Sequence, residues 1–197
     1  MESYGPKKLH IGVLALQGDF EAHLKMLAEL GVEGKAVRLP EHLHNLDGII
    51  LPGGESTTIG KLMVLYGLDE PMQQKIREGF PIWGTCAGLI LLARETDNAL
   101  EGQPLLASMH IRVRRNAFGS QRESFETDLS VPAIGEAPFH AFFIRGPAIE
   151  ALGPEVEKLA TLVPLPRTLC TMPAVWHCTA RCARRLSRHR ASRCGRG

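Results

Sequence analysis

The chain has 197 residues, 44% hydrophobic and 22% charged, which suits one large α/β domain with a sizeable core. Its apolar runs are too short to cross a bilayer and no apolar leader follows Met1, which argues against a membrane span or a signal peptide. Cys86 is the one cysteine before residue 163, so the body carries no disulfide framework, and a cytoplasmic protein is the expectation.

In chain order, Met1 to Lys8 is a polar lead-in, and Leu9 to Leu16 turns apolar as a buried central strand does. Gln17-Gly18-Asp19 makes a strand-to-helix turn with Asp19 as N-cap. Phe20, Leu24, Leu27 and Leu30 keep a helical period that Gly31 ends. Lys35 to Leu39 and Leu46 to Leu51 follow as strands. Strand, helix, strand, then strand and helix predict parallel pairing in an α/β sheet with helices on both faces.

The third strand enters Pro52-Gly53-Gly54-Glu55-Ser56-Thr57-Thr58, at the carboxyl end where open α/β sheets bind ligands. Gly53 and Gly54 would let backbone N–H groups approach a ligand, and Ser56 or Thr57 would cap the next helix, which carries Ile59, Leu62 and Met63. A plain turn with a helix cap is an equal reading. A phosphate loop is disfavoured because Gly60-Lys61 is followed by leucine, not Ser or Thr.

Pro81-Ile82-Trp83 ends a short buried strand, and Ala87 to Arg94 begins an apolar helix. Between them Gly84-Thr85-Cys86-Ala87-Gly88 has the small-x-nucleophile-x-small form of a nucleophile elbow. Cys86 would sit at a helix N-terminus, where free N–H groups favour thiolate over thiol. The plainer alternative is a small core residue. Glu95 to Pro104 reads as loop, Leu105 to Val113, Phe125 to Val131 and Phe139 to Ile144 as strands, Ala148 to Leu152 as a short helix, and Val156 to Leu162 as the start of a strand. Arg115 and Arg145 could each grip a substrate carboxylate through two hydrogen bonds, although on the residues alone a solvated surface arginine is the better reading of each.

These segments together resemble the class I glutamine amidotransferases, and within them the family of glutaminase subunits of pyridoxal 5′-phosphate synthases. The carriers are Gly12-Val13-Leu14-Ala15-Leu16-Gln17-Gly18, Leu51 to Thr58, Gly84 to Gly88, Arg115-Asn116-Ala117-Phe118-Gly119, Ser124-Phe125-Glu126 and Phe143-Ile144-Arg145, over about residues 9–162. The resemblance implies a doubly wound, mostly parallel sheet of flavodoxin-like kind. It implies Cys86 as the nucleophile on L-glutamine, with Gly53, Gly54, Glu55, Arg115, Ile144 and Arg145 lining the glutamine site. Backbone N–H groups near Gly54 and Ala87 would stabilise the oxyanion, and ammonia would pass to a separate (β/α)₈ barrel synthase subunit. Neither a metal nor a cofactor is implied for the glutaminase itself.

The resemblance stops at about Leu162. Residues 1–162 hold 15 Lys+Arg and 21 Asp+Glu, a net of −6, whereas 163–197 hold eight Arg and no acid, with four of the five cysteines. The two parts are therefore read separately, as an amidotransferase domain over 1–162 and an atypical Arg/Cys-rich tail over 163–197. In the family a His-Pro-Glu near the C-terminus supplies the base, and it is absent here. His177 falls close to the expected place without an acidic neighbour and is a weak candidate, while His140 lies where the family puts no base. Translation out of frame is the favoured reading of the tail, with disorder expected. A zinc site among Cys170, His177, Cys178, Cys182, His189 and Cys194 fits no common finger spacing. Eight arginines would bind polyanions whatever their origin, so no nucleic-acid or membrane function is inferred. Two functions remain, a glutaminase subunit, which is preferred, and an inactive homologue that binds or regulates the synthase.

Overall fold

The computed structural model describes residues 8–98, 100–115, 125–133, 135–143 and 146–161. The apolar runs of the first half form strands β1 (His10–Leu14), β2 (Glu33–Val37), β3 (Gly48–Leu51) and β4 (Ile82–Gly84). They lie in the order β2-β1-β3-β4, every pair parallel. The connections are α1 (Phe20–Glu29), a 3₁₀ turn at Pro40–Leu43, α2 (Ser56–Leu65) and α3 (Asp69–Arg77).

Alternation along the strands decides which helix covers which face. Val13 and Ile50 pack with Leu27, Phe20, Leu24 and Trp83, so α1 covers one side. Leu14, Ile49, Leu51 and Ile82 turn the other way, onto Ile59 and Met63 of α2, Met72 of α3 and the apolar α4 (Ala87–Leu92). Helices therefore lie on both faces, as the sequence predicts. The order of strand addition reverses at β1, with β2 added on one side and β3 and β4 on the other, which places a crevice at the carboxyl ends of β1 and β3.

The second half differs from the sequence reading in several elements, among them the strand read over 105–113, which begins only at Met109. Ala93 and Arg94, predicted as part of the helix, and Glu95 to Asp97, predicted as loop, belong to strand β5 (Ala93–Asp97), at the edge of a three-stranded sheet and paired parallel to β6 (Met109–Arg114). Strands β7 (Phe125–Leu129) and β8 (Phe139–Phe143) form an antiparallel hairpin. Ala148 to Leu152, predicted as helix, is strand β9 (Ala148–Leu152), antiparallel to β6. The Ala-Ile-Glu-Ala-Leu sequence favours helix locally, but pairing with β6 buries Ala148 and Ile149 and overrides that preference. Residues 156–161, predicted as the start of a strand, take no regular structure. The tail, 163–197, lies outside the described residues.

Candidate active site

The elbow is an extension of the sheet. Ile49, Ile50 and Leu51 pair with Ile82, Trp83 and Gly84, and the ladder continues as Thr85 N donates to Leu51 O at 2.9 Å. The next residue, Cys86, has φ 48° and ψ −104°, a backbone conformation that a non-glycine residue holds only when its surroundings fix it. Gly88 N then closes the turn onto Thr85 O at 2.8 Å. A Cβ at Gly88 would run into the Leu51 carbonyl, and one at Gly84 would come within 2.6 Å of the Gly88 carbonyl carbon. The sequence predicts that the flanking positions must be small, and the backbone crowding is the reason.

Two more loops close on the same point. Asp19 N donates to Gly53 O at 3.1 Å, and the Gln17 side-chain oxygen accepts from Glu55 N at 2.8 Å. A Cβ at Gly54 would lie 2.7 Å from that Gln17 oxygen, and one at Gly53 would lie 3.5 Å from Cys86 Cβ. The loops after β1, β3 and β4 thus meet over Cys86. Burial pushes the Cys86 thiol above the ordinary cysteine range, and hydrogen bonds from the Ala87 and Gly54 amides only partly offset it. The expected preference for thiolate is therefore reversed in the resting site. Desolvation by burial outweighs the two amide hydrogen bonds there.

Glu55, rather than Ser56 or Thr57, caps α2, its Oε2 accepting from Thr58 N at 2.7 Å and Thr58 Oγ1 at 3.0 Å. Asp19, the expected cap of α1, makes no side-chain cap bond. Burial would raise the Glu55 carboxyl, but bonds from Thr58 and Thr57 hold it below the usual range. Arg115 Nη2 reaches Glu55 Oε1 at 3.0 Å, and Nη1 donates to Gln103 Oε1 at 2.9 Å and, longer, to Thr57 Oγ1 at 3.4 Å. Its side chain is only 14% exposed, so the solvated-arginine reading fails for Arg115.

The structure thus brings together Cys86, Gly53, Gly54, Glu55 and Arg115. Ile144, Arg145 and His177 lie outside the described residues. Sequence reasoning missed Gln103, which sits in a segment read as loop, and His23. The half-buried His23 ring stands edge-on to Trp83 at 5.8 Å, with Nε2 3.4 Å from Thr85 Oγ1, and burial lowers its pKa against the pull of Asp19. No spacing in the sequence marks either residue. Among the described residues no helix is long and apolar enough to cross a membrane.

The model of the SNO glutamine amidotransferase family matches residues 13–166. A protein of Herpetosiphon aurantiacus named pyridoxal 5′-phosphate synthase subunit PdxT is 60% identical over 153 residues, 77% of this chain and 80% of that protein. Its namesake in Moorella thermoacetica is 52% identical over 153 residues, 78% of this chain and 80% of that protein. A solved structure described as a glutamine amidotransferase superposes with a TM-score of 0.74 at 46% identity, covering 91% of this chain and 95% of the other.

Proposed function

Since this chain belongs to the SNO glutamine amidotransferase family, we propose that it is the glutaminase subunit of a pyridoxal 5′-phosphate synthase. In this reading Cys86 Sγ attacks the side-chain carbonyl carbon of L-glutamine. The tetrahedral oxyanion accepts from backbone amides, Gly54 and Ala87 being the candidates because both already hydrogen-bond the sulfur. The proton lost by the Cys86 thiol passes to the amide nitrogen, the C–N bond breaks and ammonia departs, and water cleaves the γ-glutamyl thioester to glutamate and free thiol. Ammonia is useful only beside an acceptor, which fits delivery to a barrel synthase subunit. A cytoplasmic location belongs to the same proposal.

Glu55 and Arg115 give the site its grip. A zwitterionic amino acid carries an ammonium and a carboxylate on one carbon, and an anion and a cation 3.0 Å apart complement that pair. Ile144 and Arg145 would complete the pocket, as the family resemblance implies. The observation that carries the reading is the strained Cys86 beneath the Gly53-Gly54 loop.

A glutamine-analogue diazo-ketone tests it, with the alkylated residue located by peptide mass and glutamate release measured with and without the barrel subunit. Cys86 should be the labelled residue, and Cys86→Ala should abolish both labelling and any turnover the barrel subunit elicits. Labelling elsewhere, with turnover surviving the substitution, overturns the assignment. A second reading rests on the missing His-Pro-Glu: if no frame of the coding DNA encodes it, the chain is an inactive homologue that takes the label at Cys86 yet releases no glutamate with the barrel subunit present, whereas a frame that restores it should restore turnover.

A further inference from the structure

We propose that Gln103 is a positioning residue for the glutamine site, clamping Arg115 to the buried first turn of α2 so that the guanidinium is set opposite Glu55 before substrate arrives. The inference rests on the glutaminase reading and adds to it a residue that does not touch substrate.

The Gln103 side chain uses both ends of its amide. Oε1 accepts from Arg115 Nη1 at 2.9 Å and, more weakly, from Thr57 Oγ1 at 3.4 Å, while Nε2 donates to Ser56 Oγ at 3.1 Å. Ser56 and Thr57 are 2% and 6% exposed, the two buried polar side chains among the described residues. They cannot turn to water, so an amide that both accepts and donates satisfies groups that would otherwise be costly to bury.

The backbone beneath Gln103 is equally fixed. Gln103 N donates to Leu100 O at 3.0 Å, and Leu106 N donates to Leu91 O of α4 at 2.7 Å. The Pro104 carbonyl lies against α2 at Gly60, where a Cβ would come within 2.6 Å of it. The segment is therefore wedged between two helices, and each of them begins in the candidate site, α2 just after Glu55 and α4 just after Cys86. Arg115, by contrast, projects from the end of β6 on a long flexible stem. With Gln103 on Nη1 and Glu55 on Nη2, the guanidinium plane is held at two corners. Ordering the arginine in advance leaves less to be ordered when glutamine binds, so the gain belongs to affinity and not to the chemical step.

The test separates those two quantities in the full-length chain. Labelling of Cys86 by the diazo-ketone is followed against probe concentration, giving a half-saturating concentration and a maximal rate, and iodoacetamide labelling of Cys86 serves as a control that requires no arginine. Gln103→Met should raise the half-saturating concentration roughly tenfold to a hundredfold, the loss of a hydrogen bond to a charged group, and leave the maximal rate and the iodoacetamide rate unchanged. Gln103→Glu keeps the size of the side chain but sets a second carboxylate on Arg115 to compete with that of the probe, and half-saturation should rise again. In an Arg115→Met background, Gln103→Met should add little, because the residue acts through the arginine. An unchanged half-saturation in Gln103→Glu overturns the role, as does a fall in the iodoacetamide rate in step with diazo-ketone labelling, which marks a general loosening of the fold. Absence of saturable Cys86 labelling in the parent chain is a different result, since it overturns the glutaminase reading on which the role depends.

Discussion

At the scale of single residues, Cys86 is held in two ways that pull its chemistry apart. Crowding at Gly84 and Gly88 fixes the sulfur in position, and the same burial keeps the proton on it. A raised thiol pKa makes the charged form scarce at neutral pH, so the thiolate must be generated as substrate is attacked or by a base nearby. In the free chain, alkylation of Cys86 by iodoacetamide, resolved by peptide mass from the tail cysteines, should therefore keep accelerating as pH rises past the ordinary thiol range. A plateau reached below that range would mean that the amide hydrogen bonds outweigh burial. The elbow was legible because the chemistry needs small residues on both sides of the nucleophile. The sign of the pKa shift was not, because it depends on how far Gly53 and the loop around it cover the sulfur.

At the scale of elements, the hairpin β7–β8 carries a group with no part in the proposed reaction. Its inner face buries Leu129, Ala141 and Phe143, while on its outer face His140 Nδ1 meets Asp128 Oδ1 at 2.7 Å and Nε2 meets Glu126 Oε2 at 3.2 Å. Hydrogen bonds accepted by Asp128 and then Glu126 raise the His140 pKa, so the protonated ring ties the strands together. A raised folded-state pKa means that this contribution is fully present below the ordinary histidine value and fades as pH climbs through the raised one. An imidazole titration followed by NMR should give His140 a midpoint above the ordinary range, and Asp128→Asn should bring it down. A midpoint unmoved by the substitution would show that the cross-strand contact does not form in solution. The sequence made β7 and β8 visible through their apolar inner residues. It hid α3, which is polar along most of its length and signals itself only by Asp69 and Glu70 in the first turn and Lys75 and Arg77 in the last. It hid β5 for a related reason, since Arg94 and Glu95 are exposed and give no strand alternation. Gln103 carries no periodic or motif signal at all, because its importance comes from Ser56, Thr57 and Arg115, which are distant in sequence.

At the scale of the molecule, the described residues supply the proposed nucleophile, its glycine loop and the proposed arginine grip, and the family resemblance puts the base near the C-terminus, beyond them. Restoring a reading frame that encodes His-Pro-Glu after about residue 162 should yield glutamate release that rises when the barrel subunit is added, whereas the chain as written should release none. Full turnover from the 197-residue sequence would mean that His177 or another group has taken the role of the base. The coding DNA decides whether such a frame exists. The loops over Cys86 also have a temporal consequence. Gln17, Asp19, Gly53, Gly54 and the elbow all lie within the first 88 residues, and the strands that carry them are joined by short parallel crossovers. During synthesis this cradle can assemble while Gln103 and Arg115 are still inside the ribosome. A lesion after about residue 162 therefore leaves every residue of this cradle encoded, along with Gln103 and Arg115, and what it removes is the means of moving the proton.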